Sequence, residues 1–227
     1  MLVPLLCLCH LPTDGAQFVM AHNQVTIHEK VTDAHVDLLA ALDEKMSQEI
    51  AELHPLKDAP LMPALGRDWF AKHCLTNRAS FAFTRPLVVE VSGETAGFIV
   101  FNPSIWRAKK RKRGKSGGVR RNSFVEVFCL SVDPAARRRG VARALLLEAR
   151  RVAKRDFASD VVGEHRLRVM INNEPAIKLY KSLGFEILAL KKGYPQKPYD
   201  AHRMAWRDGG GEGVNSEANT IERAENT

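Results

Sequence analysis

The chain has 227 residues, 45% apolar and 26% charged, the make-up of one globular domain with appendages and enough material to bury a substantial core. No stretch approaches the ~20 apolar residues of a bilayer-spanning helix, and Cys7, Cys9, Cys74 and Cys129 form neither a C-x-x-C pair nor a zinc spacing; the reading is a reduced, intracellular protein without a membrane span or a metal centre. The formal net charge of +8 has one source: nine Lys or Arg residues and no acid lie between Arg107 and Arg121, leaving the rest of the chain at about −1.

In chain order, residues 1–23 are read as an N-terminal extension. MLVPLLCLCHLP is a short apolar stretch without a basic leader region, and Met20 stands four residues before the first strand. The expectation is that this extension is either untranslated, with Met20 as the start, or disordered. Residues 24–28, with Val25 and Ile27 alternating, read as the first strand. From Asp33 the apolar set Leu39, Leu42, Met46, Ile50 and Leu53 recurs at helical spacing, predicting a helix that stops before Pro55. A proline-containing loop over 56–66 leads to a short helix over 67–76. Strands over 87–91 and 96–101 are joined by the turn signal SGET, and the basic segment follows as an insertion over 103–122.

Residues 124–132, FVEVFCLSV, form a nearly continuous buried-strand run interrupted by Glu126, Cys129 and Ser131, and Asp133-Pro134 ends it. Val141, Leu145, Ala149 and Val152 then recur at helical spacing with Arg143, Glu148, Arg150, Lys154 and Arg155 between them, so a helix is expected to start near Arg137. Its first turn offers free N–H groups and the positive end of the helix dipole, and Gly140 lets the backbone approach a ligand closely. That combination is an anion site suited to a phosphate. Neither G-x-x-x-x-G-K-S/T nor G-x-G-x-x-G is present; what stands there is Arg137-x-x-Gly140-x-Ala142.

Leu167, Val169 and Ile171 alternate as a strand that enters NEPAIKLYKSLGF, residues 173–185. In that segment Asn173 is placed to cap a helix, Pro175 sits in its first turn, Gly184 is placed to end it, and Ala176, Leu179, Tyr180 and Leu183 share one face. Strands over 185–190 and 201–206 close the pattern, and the tail 207–227, with GGGEG and scattered acids, is too poor in apolar residues to fold. The order β-α-α-β-β-β-α-β-α-β-β is an α/β class with a mixed sheet.

The loop Arg137-x-x-Gly140-x-Ala142 after a strand resembles the coenzyme-pyrophosphate loop of the GNAT superfamily of N-acetyltransferases, and residues 173–185 resemble that family's second hallmark, N-x-x-A-x-x-L-Y-x-x-x-G-F. The resemblance covers roughly 24–206. It implies a mixed, mostly antiparallel sheet of six or seven strands with about four helices, and acetyl-CoA as co-substrate with no metal. It further implies that the main chain of Leu130, Ser131 and Val132 pairs with the pantetheine arm and that the loop from Arg137 through Arg138, Arg139, Gly140, Val141 and Ala142 holds the pyrophosphate. The resemblance also implies that Asn173 and Ala176 border the coenzyme and that Tyr180 protonates the departing thiolate or hydrogen-bonds the sulfur. Glu126, an acid in an apolar strand fourteen residues before Gly140, is the candidate base, with burial beside Phe124 and Phe128 expected to tune it; the alternative is a Glu at an exposed strand start or one paired with a cation. Some relatives carry a glutamate where this chain has Arg168, a departure from their pattern. His165 and His202 are spare candidates, and Tyr194 in the last hairpin corresponds to tyrosines that shape a peptide slot.

For the acceptor, a protein N-terminal or lysine amine is favoured by Tyr194, by Glu126 and by the basic insertion, which could hold the enzyme near ribosomal RNA or chromatin. A polyamine-like small molecule is the alternative, suggested by Asp33, Asp37, Asp43, Glu44, Glu49 and Glu52 on the first helix. An RNA-binding protein with a degenerate coenzyme site is the third. A cytoplasmic or nuclear location is expected, KKRKRGK resembling a nuclear-localisation patch.

Overall fold

A computed structural model of the chain describes residues 15–20, 23–52, 64–75, 84–106, 122–156, 163–194, 197 and 199–207. The basic run between Arg107 and Arg121 and the tail 208–227 lie outside the described residues, so the readings made for them are not addressed by it.

Strands β1 (Gly15–Met20) and β2 (Asn23–His28) are followed by helix α1 (Asp33–Glu52) and by α2 (Gly66–Phe70), which continues as a π-helical turn over Ala71–Leu75. Then come β3 (Arg85–Val91), β4 (Glu94–Trp106) and β5 (Asn122–Val132), a 3-10 turn at Pro134–Ala136, α3 (Val141–Asp156), β6 (Glu164–Met170), α4 (Glu174–Ser182), β7 (Glu186–Lys191) and β8 (Ala201–Arg207). The strands form one sheet in the order β1-β2-β3-β4-β5-β6-β8-β7. Every pairing is antiparallel except β5 with β6. Strands β2 to β8 make seven, within the six or seven that the resemblance implied; β1, within the stretch read as an extension, pairs with β2 from Gly15↔His28 to Met20↔Asn23 and adds an eighth.

Each face of the sheet has its own core. Val36, Leu39 and Leu42 of α1 and Phe70 of α2 pack on Val88, Phe98, Val100 and Cys129. On the opposite face Val141, Leu145, Ala149 and Val152 of α3, with Tyr180 and Leu183, pack on Leu87, Val89, Ile99, Val125, Val127, Leu167 and Met204. The periodic residues expected for α3 are thus all buried, but the helix begins at Val141 and not near Arg137, because Arg138 (φ 63°) and Gly140 (φ 83°) are left-handed and cannot continue it. Glu148, placed by periodicity among the solvent-facing residues, is 3% exposed, its carboxylate held by the Arg151 guanidinium at 2.6 Å.

Two irregularities in β5 matter most. Phe101 faces Val127 while Val100 faces Cys129, so Phe128 is an extra residue, a β-bulge. Across it the facing parity changes: Val125 and Val127 before it, and Leu130 and Val132 after it, all turn to the α3 core, while Cys129 turns to the α1 core. Strand β5 also pairs with β6 only at Val125↔His165 and Glu126↔Arg166, after which the two part.

Candidate active site at the split between β5 and β6

From Val127 to Val132, β5 has no strand partner on its β6 side among the described residues, which leaves a row of main-chain donors and acceptors along the opening. This end of the strand is gripped by α1. Ser131 Oγ donates to the Leu42 carbonyl at 3.3 Å, Lys45 Nζ lies 3.6 Å from Asp133 Oδ2, and Arg137 donates through Nη2 to Glu49 Oε2 at 2.6 Å and through Nε to the Val132 carbonyl at 3.0 Å. Leu42, Lys45 and Glu49 follow each other along one face of the helix.

Beyond the strand, Asp133 Oδ1 accepts the Ala135 N–H at 2.9 Å and starts the 3-10 turn. The chain passes through left-handed Arg138 and Gly140 and enters α3, the Gly140 carbonyl accepting the Ala144 N–H at 2.9 Å. Among the described residues the amides of Arg138, Arg139, Gly140, Val141 and Ala142 take part in no turn or cap hydrogen bond. An exposed loop of free N–H groups at a helix N-terminus is an anion cradle. Arg138 and Arg139 make no ion pair among the described residues and stand ready to add charge; Arg137 is engaged by α1.

Helix α4 enters from β6 with Asn173 as its cap, its Oδ1 accepting the Ala176 N–H at 3.2 Å, and ends at Gly184 with φ 90°. Tyr180 on its inner face is 8% exposed and packs on Phe185 with ring centroids 5.7 Å apart. Burial pushes its phenol up to about 12.

Glu126 lies on the other face of the sheet. The apolar surroundings expected for it are replaced by a cation: its Oε1 accepts from Arg168 Nη1, the residue two positions beyond its register partner Arg166. Phe128, the bulge residue, is 50% exposed, and the Phe124 ring is covered by the Arg166 guanidinium 3.9 Å from its centroid. Tyr194 joins the pair, its hydroxyl 3.5 Å from Arg168 Nη1 and its ring centroid 4.9 Å from Arg168 Cζ. Asp200 fixes the loop that presents it: the left-handed Gly193 donates its N–H to Asp200 Oδ1 at 2.9 Å. Glu126, Arg168 and Tyr194 therefore form one cluster on the α1 face of the sheet, and Tyr180 lies in the core of the opposite face.

His165 and His202 sit on strand positions that face the α3 side, away from Glu126. Burial and the nearby Arg150 and Lys154 bring the His165 imidazole down to about 4. Of the acids on α1, Asp37 binds Arg67 at 2.7 Å, Glu49 binds Arg137, and Asp43 is 2% exposed with its Oδ2 accepting the Leu65 N–H at 2.6 Å. Burial raises the Asp43 carboxyl and the Leu65 N–H opposes that rise. Burial also pushes the Cys74 thiol up to about 12 and the Cys129 thiol well above its ordinary value, so neither supplies a thiolate nucleophile. No group of His, Cys, Asp and Glu able to hold a metal occurs among the described residues, and none of their helices is long and apolar enough to cross a membrane. Two residues of the open face went unread in the sequence. Asn102, within an apolar hairpin strand, faces Glu126, and Arg203 faces Arg168; neither stands in a local sequence pattern that marks it.

A sequence profile of the acetyltransferase (GNAT) family matches residues 45–185. An N-alpha-acetyltransferase of Sulfurisphaera tokodaii is 30% identical over 137 residues, covering 60% of this chain and 74% of that protein. An L-amino acid N-acetyltransferase of Escherichia coli is 38% identical over 88 residues, 37% of this chain and 52% of that one. A Mycobacterium leprae protein of uncharacterised activity is 45% identical over 80 residues, 35% of this chain, which spans only 20% of its length. Among solved structures, the ribosomal-protein-S18-alanine N-acetyltransferase from Escherichia coli superimposes with a TM-score of 0.53 at 20% identity, over 85% of this chain and 99% of that one.

Proposed function

We propose, from the premise that this chain belongs to the GNAT family of acetyltransferases and takes its acetyl group from acetyl-CoA, that the acceptor is the amine of a polypeptide, N-terminal or lysine. The observation that supports this reading is the opening between β5 and β6, lined on one side by β5 main chain without a strand partner there and ending at the free amides of the turn before α3. The coenzyme supplies an activated thioester when bound. Leu130, Ser131 and Val132 would hold its amide-bearing arm as an added strand, the amides from Arg138 to Ala142 its pyrophosphate, and Arg138 and Arg139 would add charge-assisted contacts. Asn173 would face the arm with whatever its cap leaves free, and Ala176 would border it.

Glu126 would take the proton lost by the attacking amine, and its contact with Arg168 would orient the carboxylate until the amine arrives. As the nitrogen–carbon bond forms and the carbon–sulfur bond breaks, Tyr180 would donate its proton to the thiolate, then recover one from water. An α-amine has a reference pKa near ~8 and needs only modest base assistance at neutral pH. Tyr194, beside Arg168 at the mouth, would line the peptide slot. The acidic face of α1 supports a polyamine less well than the sequence suggested, since Asp37, Asp43 and Glu49 are committed to Arg67, the Leu65 amide and Arg137.

A screen with labelled acetyl-CoA against peptides, histone tails and polyamines tests the assignment. Peptides are expected to be acetylated, with Glu126→Gln and Tyr180→Phe each slowing turnover by about 10²-fold. Acetylation of spermidine with none of any peptide would reject the acceptor class, and unchanged rates in both variants would reject the two roles. The basic stretch is proposed to act separately: deleting Lys109 to Lys115 is expected to abolish salt-dependent RNA binding and leave acetyl transfer intact.

A further inference from the structure

The face of the sheet that carries Glu126 holds more positive charge than that carboxylate balances. Arg168 of β6 and Arg203 of β8 are direct cross-strand partners, which puts both side chains on one face with Cβ atoms about 5 Å apart, where like charges repel. Glu126 pairs with Arg168. Arg203 makes no ion pair among the described residues, and its Nε is buried without a hydrogen-bond partner. On the other flank Asn102 faces Glu126 in register, and its Oδ1 is likewise buried without a partner. Other charges in reach are already matched: Arg166 holds Glu164 at 2.5 Å, and Arg207 lies 3.4 Å from the same carboxylate. One row across four strands therefore presents an orphan acceptor, a carboxylate and two guanidiniums, with Tyr194 at its rim. The Glu126 side chain is 17% exposed and that of Arg168 34%, so water compensates them only in part.

We propose that this row selects acceptors that bring a carboxylate beside the amine they offer: polypeptides whose first or second residue is Asp or Glu. The inference rests on the polypeptide reading above. The incoming α-ammonium takes Glu126, the acceptor carboxylate takes the guanidinium that Glu126 gives up, Arg203 supplies further donors to it, and Asn102 Oδ1 accepts an amine N–H. One ion pair is exchanged for two at unchanged net charge, and the buried Arg203 Nε gains the hydrogen-bond acceptor it lacks. A neutral N-terminus would instead part Glu126 from Arg168 and leave a half-buried guanidinium bare, which is costly. Because Glu126 and Arg168 touch, amine and carboxylate must lie within about one residue of each other, successive Cα atoms being ~3.8 Å apart.

The test holds acetyl-CoA at saturation and measures kcat and KM for matched peptides that differ only at residues 1 and 2, as Asp or Glu against Asn, Gln or Lys, with free aspartate and spermidine as further arms. The wild-type chain is expected to favour acidic over amide peptides by about tenfold in kcat/KM, mostly through KM and less at high salt. Arg168→Gln and Arg203→Gln are expected to bring that ratio near unity, with Arg168→Lys and Arg203→Lys retaining part of it. Each ratio is read within one variant, so poor folding of one does not blur the outcome, and the Arg203 variants carry the test if Arg168→Gln fails to fold. Equal rates on acidic and amide peptides, or a preference that survives in both Gln variants, overturn the inference while leaving the polypeptide reading in place. Free aspartate turned over as fast as the acidic peptides would move the ligand to amino acids and overturn it too. Turnover of spermidine with no peptide acetylated would reject the polypeptide reading itself and the inference with it.

Discussion

Tyr180 is 8% exposed and its phenol is pushed up to about 12 by burial, so the hydroxyl keeps its proton well past the neutral range. If it is the proton donor, kcat should show no tyrosine-dependent fall until the pH approaches that value; a falling limb near 10 that disappears in Tyr180→Phe would mean that the hydroxyl is better solvated than its burial implies, and a pH profile unchanged in Tyr180→Phe would reject the donor role. His165 gives the opposite sign. Its folded-state pKa of about 4 lies below the ordinary 6.5, so the stability it contributes is present above 6.5 and is lost as the pH falls toward 4. Denaturant unfolding between pH 7 and pH 4 should show a loss of roughly 3 kcal/mol from this group, at ~1.4 kcal/mol per unit, and His165→Phe should flatten that slope. The sequence could nominate Glu126 and Tyr180 because each lies in a local pattern, an acid in an apolar strand and an aromatic on a helix face. It could not show that Glu126 meets Arg168, since that contact joins residues 42 apart through a parallel pairing of two positions. Tyr199, within a loop by composition, is 0% exposed, a burial that no local pattern around it marks.

The turn between β5 and α3 shows where element boundaries escape a periodic reading. Helical spacing correctly identified Val141, Leu145, Ala149 and Val152, but Arg137 to Arg139 are also good helix formers, and only the left-handed Arg138 and Gly140 delay the helix to Val141. Gly140→Ala should therefore weaken acetyl-CoA binding by about 1–2 kcal/mol, the cost of holding a Cβ in that conformation, as measured by calorimetric titration, with far-UV circular dichroism unchanged. Within α3, Glu148 is buried and Arg151 is its partner. Arg151→Ala, which leaves a bare buried carboxylate, should destabilise the fold by about 2 kcal/mol, and Glu148→Met by less. Equal losses in chemical denaturation would mean that water already reaches Glu148. The bulge at Phe128 could not be read either, because FVEVFCLSV is a continuous run in which one inserted residue leaves no mark.

As a whole, the sheet consists of an antiparallel block from β1 to β5 and an antiparallel block of β6, β8 and β7, joined by two register pairs. The element order was legible because helical and strand periods alternate cleanly along the chain; the join was not, because a short parallel contact has no sequence signature of its own. Acetyl-CoA bridging the split should slow hydrogen exchange at Leu130 to Val132 and at Arg138 to Ala142 and raise the unfolding midpoint with concentration. Protection confined to the edge strands β1 and β7 would place the coenzyme elsewhere.

The β4–β5 hairpin has a consequence for how this chain tolerates change. Its ladder runs out to Trp106↔Asn122, so the two ends of the basic segment are brought together by the strands themselves. Closing the loop is therefore already accounted for in the entropy of forming the hairpin, and lengthening or shortening the segment changes that entropy only logarithmically, about 0.6 kcal/mol for each doubling. The stretch that holds nearly all the excess charge is thus joined to the sheet at a point where a change in its length costs the fold little.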